Sequence, residues 1–208
     1  MAVPTIGVLA LQGGVEEHRH ILNLLGVESR KVRLPRDLDG IDGLILPGGE
    51  STTMSKLMVF NELEEPLRAA LHNGLPAFGT CAGMILLASS ILDTRDDAVA
   101  LGALDIVVRR NAFGRQVDSF ESDLNFAGIR TTSENSRPLH AAFIRAPWVE
   151  SIGDVVEVLS TVSVPGVDRR EAIVGVRQGN VMATSFHPES TVETRVHEYF
   201  LRECVRVA

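Results

Sequence analysis

Residues 76–92 read Pro76-Ala-Phe-Gly-Thr-Cys-Ala-Gly-Met-Ile-Leu-Leu-Ala-Ser-Ser-Ile-Leu92, and they give the clearest indication of the fold class. Its first part, Pro76–Gly79, is a short apolar run that predicts a buried strand. Its last part, Ala82–Leu92, is strongly apolar and predicts a helix in the core. Cys81 lies at the turn between them. A strand that leads directly into a helix is the repeating unit of an α/β fold, so this segment predicts that class.

The same alternation continues on both sides of this segment, and it predicts one α/β domain over residues 1–208. We expect three layers with a mostly parallel central sheet. After Leu101 the pattern changes to short β segments separated by polar turns. The other predicted strands are Thr5–Leu11, Glu28–Leu34, Leu44–Leu46, Ile106–Val108, Val117–Asn125, Phe143–Arg145, Val155–Ser160, Ile173–Gln178 and Val181–Phe186. The other predicted helices are Val15–Leu25, Thr52–Asn73 with a break near Asn61, and Val192–Val205.

Composition and charge exclude several classes of protein. The 208 residues are 45% hydrophobic and 23% charged, which argues against disorder. The net charge of −7, without any basic run, argues against binding to nucleic acid or to an anionic membrane. Two cysteines are too few for a disulfide framework, and the longest apolar stretch, Ala77–Leu92, is too short to span a bilayer. We therefore expect a cytoplasmic protein.

Cys81 has the sequence context of a nucleophile. A reactive residue between a strand and a helix, with Gly79 and Gly83 two residues away on either side, is the pattern of a nucleophile elbow. The glycines are needed because so tight a turn leaves no room for side chains. The N-terminus of the following helix favours a thiolate over a thiol. The alternative is a structural cysteine in a glycine-rich packing turn.

His187 is the candidate base among the six histidines. It follows the apolar strand and precedes Pro188, which favours an extended backbone at His187. Residues i and i+2 of an extended segment face the same way, so Glu189 can orient the imidazole as a third triad member. The alternative is a loop histidine beside a solvated glutamate. The remaining histidines are interpreted as ordinary side chains: His18, His20, His72, His140 and His197.

Pro47-Gly48-Gly49-Glu50-Ser51 is a third polar segment, and it follows the strand predicted at Leu44–Leu46. Its backbone N–H groups suit an oxyanion and its polar groups suit a ligand. It lacks the Gly-Lys-Ser/Thr ending of a phosphate loop, and a plain turn with a helix N-cap is the alternative. The His-x-Glu pattern also occurs in zinc deaminases, but without a Cys-x-x-Cys partner no metal site is expected in this chain.

In this order the three segments resemble those of the class I (triad) glutamine amidotransferases. The wider pattern is similar to the family of glutaminase subunits of pyridoxal 5'-phosphate synthase, over nearly the whole chain. A longer, more polar stretch at Gly128–Pro138 departs from that family between its motifs. The matching segments are Gly7–Gly13, Leu44–Met54, Phe78–Gly83, Arg110–Glu121, Phe143–Pro147 and Ser185–Glu189.

The resemblance implies a flavodoxin-like domain that hydrolyses L-glutamine without a cofactor or metal. It implies that the ammonia passes to a separate barrel-shaped synthase subunit, which makes pyridoxal 5'-phosphate. By matching position, Cys81 is the nucleophile, His187 the general base and then acid, and Glu189 the orienting residue. The other implied site residues are Gly49 and Ala82 at the oxyanion hole, and Gly49, Glu50, Ser51, Arg110, Ile144 and Arg145 at the glutamine site.

Two other functions remain open from the sequence. A cysteine peptidase or another thiol hydrolase would use the same elbow but would not depend on glutamine. A non-catalytic regulatory or binding module that kept the fold would not be labelled at Cys81 by a thiol-reactive glutamine analogue.

Overall fold

The computed structural model describes residues 3–112, 119–129, 137–163, 171–191 and 193–206. Ten of the described strands form one sheet, and β7 and β8 form a separate hairpin-like pair. The strands are β1 Thr5–Leu9, β2 Glu28–Val32, β3 Gly43–Leu46, β4 Ala77–Thr80, β5 Ala88–Leu92, β6 Leu104–Arg109, β7 Ser119–Leu124, β8 Leu139–Ile144, β9 Trp148–Ile152, β10 Glu157–Val162, β11 Ala172–Gln178 and β12 Val181–Thr184.

Helices cover both faces of the large sheet, which gives the three layers expected from the sequence. Met54 and Leu67 pack on one face, and Leu22 and Phe200 pack on the other. None of the helices in the described ranges is long and apolar enough to cross a membrane. The helices are α1 Val15–Leu24, α2 Ser51–Phe60, α3 Glu64–His72, α4 Ala82–Leu87 and α5 Thr194–Phe200, with 3-10 turns at Pro35–Leu38 and Pro188–Thr191 and a π-helical turn at Leu201–Val205.

The sheet has a parallel half and a largely antiparallel half. In the first half the strand order is β2-β1-β3-β4-β12, and all neighbours are parallel. Every residue of β3, β4 and β12 is buried, as expected for strands covered on both faces. Beyond β12, the strands β11, β9 and β6 pair antiparallel, β10 pairs antiparallel with β11, and β5 pairs parallel with β6.

The helix predicted at Ala82–Leu92 was wrong in its second half. The helix α4 ends at Leu87, and Ala88–Leu92 forms the edge strand β5 beside β6. The reason is tertiary, because the backbone N–H groups of Leu101, Gly102 and Ala103 bond to the carbonyls of residues 86–88 and replace the next helical turn. The strand β9, which lies in the middle of the antiparallel half, was not predicted from the sequence.

Most other predicted elements are confirmed within a few residues. The long helix breaks at Asn61 into α2 and α3, as its sequence indicated. The turn at Gly179, which has a φ of 59°, joins β11 to β12. Two predicted elements begin outside the described residues: the strand Val117–Asn125 and the helix Val192–Val205. The middle of the Arg110–Glu121 segment also lies outside them.

Candidate active site

Three strand ends bring the chemically distinctive segments together. The strands β3, β4 and β12 are adjacent and parallel, so their carboxyl ends lie at one edge of the sheet. Gly48 and Gly49 follow β3, Cys81 follows β4, and His187 comes three residues after β12. Ligands of open α/β sheets bind outside the carboxyl ends of the strands, so this edge is the candidate site.

The turn at Cys81 has the geometry of a nucleophile elbow. Cys81 has a φ of 48° and a ψ of −101°, which is a strained conformation for a residue with a side chain. The two flanking glycines make this turn possible. A Cβ atom on Gly79 would lie 2.5 Å from the carbonyl carbon of Gly83, and one on Gly83 would lie 2.0 Å from the carbonyl oxygen of Leu46. The predicted reason for these glycines is therefore confirmed.

The Cys81 side chain is nearly buried and faces His187. Its sulfur lies 4.0 Å from the carbonyl oxygen of Ile144, and its backbone N–H donates to the carbonyl of Thr184 at 2.8 Å. Burial lowers the pKa of His187, but its hydrogen bonds with Cys81 and Glu189 outweigh this and raise it to about 10. A positively charged imidazole next to the sulfur is the arrangement that stabilises a thiolate.

Glu189 lies against the other nitrogen of the imidazole. Its Oε1 accepts a hydrogen bond from Nδ1 of His187 at 2.8 Å, and only 5% of Glu189 is exposed. Burial raises the pKa of this carboxyl, but His18 and His187 lower it more, so Glu189 is ionised. The predicted contact forms, although not through an extended segment, because Pro188 begins a 3-10 turn that carries Glu189 back toward the ring.

Two histidines that were interpreted from the sequence as ordinary are part of this site, so that interpretation was wrong. His18 and His197 are fully buried, and they contact each other through Nδ1 and Nε2 at 2.8 Å. Nε2 of His18 lies 3.2 Å from the Thr80 hydroxyl and 3.5 Å from Oε1 of Glu189. His18 precedes the buried Ile21 and Leu22 by three and four residues, and this helical spacing is the signal that could have found it.

The glycine loop after β3 is held by three hydrogen bonds. The Gly48 N–H donates to the Thr80 hydroxyl at 2.9 Å, and the Gly48 carbonyl accepts from Gly14 N at 3.1 Å. The side-chain oxygen of Gln12 accepts from the N–H of Glu50 at 2.6 Å. The orientation of the Gly48–Gly49 peptide therefore depends on the residues just before α1.

The residues expected to bind glutamine follow the same strand ends and their neighbours. Glu50 caps α2 by accepting from the N–H groups of Thr52 and Thr53. Burial raises the pKa of Glu50, but the hydrogen bond from the Thr53 hydroxyl and these backbone hydrogen bonds lower it to about 2. Arg110 lies 3.4 Å from Glu50 through a guanidinium nitrogen. Four further expected residues lie nearby in the fold: Ser51 begins α2, Ala82 begins α4, Ile144 ends β8 and Arg145 follows it.

Comparisons with known proteins give the family. Residues 8–206 match the SNO glutamine amidotransferase family. The chain is 60% identical over 201 residues to a Rhodococcus opacus protein named pyridoxal 5'-phosphate synthase subunit PdxT, and the match covers 97% of each chain. It is 58% identical to a protein of the same name from Corynebacterium jeikeium, and that match covers 95% of each chain.

Solved structures agree with the sequence match. A crystal structure of a glutamine amidotransferase superimposes with a TM-score of 0.85 at 45% identity and covers 97% of this chain and 99% of that one. The structure of PurLQS from Thermotoga maritima, at 20% identity and a TM-score of 0.63, shares the fold over 97% of this chain and 99% of that one. On the family match and these identities, the chain belongs to the SNO glutamine amidotransferase family.

Proposed function

We propose that this chain is the glutaminase subunit of a pyridoxal 5'-phosphate synthase. It hydrolyses L-glutamine to glutamate and ammonia, and residues 1–208 act as one glutaminase domain in the cytoplasm. One observation carries the proposal: in a chain about 60% identical to synthase subunits named PdxT, the side chains of Cys81, His187 and Glu189 are in contact in that order.

The proposed reaction uses these three residues in two half-reactions. The Cys81 thiolate attacks the carboxamide carbon of glutamine, and the N–H groups of Gly49 and Ala82 stabilise the oxyanion. The C–N bond breaks as protonated His187 gives its proton to the leaving nitrogen, which departs as ammonia. His187 then takes a proton from water, which attacks the thioester and releases glutamate. Glu189 keeps the imidazole oriented throughout.

Charged side chains next to the glycine loop suit the glutamine substrate. Its α-carboxylate needs a cationic partner, and Arg110 is a guanidinium that Glu50 and the Thr94 hydroxyl hold in place. Ile144 is 47% exposed, and its carbonyl lies near the Cys81 sulfur. Its side chain is therefore suited to contact the aliphatic part of the substrate. We assign Ser51 and Arg145 to the rim of the same site.

The acceptor of the ammonia is a separate synthase chain. We propose that this partner docks near α1 and acts on the oxyanion hole through the Gly14 to Gly48 hydrogen bond. A peptide flanked by Gly48 and Gly49 can rotate at little steric cost, and loss of one oxyanion donor lowers a rate by about 10²–10³. The isolated chain is therefore expected to be slow, and the partner to raise its turnover.

The test is glutamate release by the full chain, alone and with the synthase subunit added in steps. We expect turnover to rise with added synthase, and Cys81→Ala to abolish it while product formation from added ammonia continues. Cys204→Ala is the matched control, because Cys204 is the other free cysteine and lies in the π-helical turn. Hydrolysis of peptides without glutamine turnover would contradict the proposal, and strong turnover by folded Cys81→Ala would exclude Cys81 as the nucleophile.

A further inference from the structure

A line of buried polar side chains extends from Glu189 away from Cys81 and His187. It runs from His197 on α5 to His18 on α1, and from His18 to Glu189. The Thr80 hydroxyl lies beside both His18 and Glu189. All four side chains are buried. Burying imidazoles is costly unless their nitrogens are bonded, so packing alone does not explain two of them in contact at this place.

The hydrogen bonds of this line have a direction. Ionised Glu189 can only accept, and among the described residues its Oε2 has no hydrogen-bonding partner, so Oε1 holds the carboxylate in place. Thr80 already accepts from the Gly48 N–H, which leaves its own O–H to donate to Glu189 Oε1 at 3.4 Å. The proton of His18 is then needed on Nε2, where it points to Thr80 and Glu189.

His197 holds the other nitrogen of the His18 ring. Nδ1 of His18 lies 2.8 Å from Nε2 of His197, so both nitrogens of His18 have buried polar partners. Burial and the neighbouring His18 lower the pKa of His197 to about 3, although Glu189 and the Glu193 carbonyl act in the opposite direction. His197 is therefore neutral, and a neutral imidazole donates from one nitrogen only.

We propose that His18 is a positioning residue for the glutaminase reaction: its Nε2–H, fixed by His197, holds the same oxygen of Glu189 that accepts from His187. The inference rests on the proposed function. In this arrangement Oε1 of Glu189 contacts two imidazoles, His187 from the loop after β12 at 2.8 Å and His18 from α1 at 3.5 Å. A second donor at this oxygen keeps Glu189 ionised and prevents it from turning away from His187 during the proton transfers.

The experiment compares three variants in the complex with the synthase subunit. His18→Leu removes the donor at similar volume, and His18→Gln keeps an N–H near the Nε2 position. Phe78→Leu is the packing control, because the Phe78 ring touches both imidazoles edge-on but takes no part in the polar line. For His18→Leu we expect kcat to fall about 10- to 100-fold with KM nearly unchanged, as for the loss of one hydrogen bond to a charged group.

The pH profile separates positioning from packing. Loss of a hydrogen-bond donor raises the pKa of a carboxylate. The pH below which kcat/KM falls should therefore be higher in His18→Leu than in the wild type. Among the described residues, the ionisable groups that act on Glu189 are His187 after β12, His18 on α1 and His197 on α5. Glu17 of α1 lies close by, because a Cβ atom on Gly14 would lie 3.6 Å from Oε2 of Glu17 and 3.4 Å from Oε1 of Glu189. His18→Gln should restore most of kcat, and Phe78→Leu should lower the melting temperature without moving the profile.

The outcomes are distinct for the two proposals. If the wild-type complex releases no glutamate from glutamine, the proposed function fails. If it does, and His18→Leu matches it in kcat and pH profile, or Phe78→Leu reproduces the shift, the positioning role is wrong. Imidazole ¹⁵N spectra of the unmodified chain give a test that needs no variant to fold: Nε2 of His18 should carry a proton, and an unprotonated Nε2 would overturn the positioning role.

Discussion

Substitution of Gly48 by alanine tests whether His187 has the position that the triad requires. A Cβ atom on Gly48 would lie 2.2 Å from Cε1 and 2.7 Å from Nδ1 of the His187 ring. Ordinary carbon contacts are about 3.5–4.0 Å, so the ring has to move by more than about 1 Å. Gly48 does not have a positive φ, and its own backbone therefore tolerates alanine.

The expected result is loss of activity without loss of the fold, because the imidazole is the movable partner in this contact. A displacement of about 1 Å can lower a rate by roughly 10²-fold, so glutamate release by Gly48→Ala should fall at least that far. Thermal unfolding should change little. Gly14→Ala is the comparison, since its Cβ would lie 3.4 Å from Oε1 of Glu189, an ordinary contact. Turnover within about threefold of wild type in a folded Gly48→Ala protein would refute the close packing of the His187 ring against Gly48.

The remaining predictions concern Glu189 as the proposed orienting residue and Arg110 as the proposed glutamine-binding residue. Glu189→Gln should lower kcat by about 10²–10⁴, measured as glutamate release in the complex, and an unchanged rate would exclude the orienting role. Because its pKa is lowered, ionised Glu189 stabilises the fold at pH values above 4.5, the usual pKa of a glutamate, and this stabilisation is lost as the pH falls toward the lowered pKa. The melting temperature of Glu189→Gln should therefore fall less steeply on acidification than that of the wild type. Arg110→Ala should raise KM for glutamine about 10- to 150-fold. Arg109→Ala should be milder, because Arg109 pairs at the surface with Asp93 and Glu150, and an equal effect of both would contradict the assignment.

The features that the sequence predicted correctly are those that a short motif shows. The elbow needs small residues because Gly79 packs on Gly83 and Gly83 packs on Leu46 of the adjacent strand, and the spacing of the two glycines around Cys81 indicates this need. The break between α2 and α3 at Asn61 is local in the same way. The order of strands and helices then places the ends of parallel strands together, which predicts that Cys81 and His187 meet.

Burial and long-range pairing decided the features that the sequence did not predict. Residues 88–92 are apolar enough for a helix, but the N–H groups of residues 101–103 take the carbonyls that the helix would need, and β6 offers a strand partner. His18 and His197 are 179 positions apart, and no local pattern shows that their rings touch. A hydrogen bond between two imidazoles depends on how α1 and α5 pack over the same face of the sheet.

The alternation of strands and helices along the chain therefore predicts the α/β class, and short motifs predict the elbow and Cys81, His187 and Glu189 as the expected triad. Packing between distant elements set three other features: Pro188 turns Glu189 back onto His187, Thr80 joins the glycine loop to that carboxylate, and a second imidazole lies near it. A buried carboxylate needs donors wherever the packed elements place them, and those donors come from segments far apart in sequence.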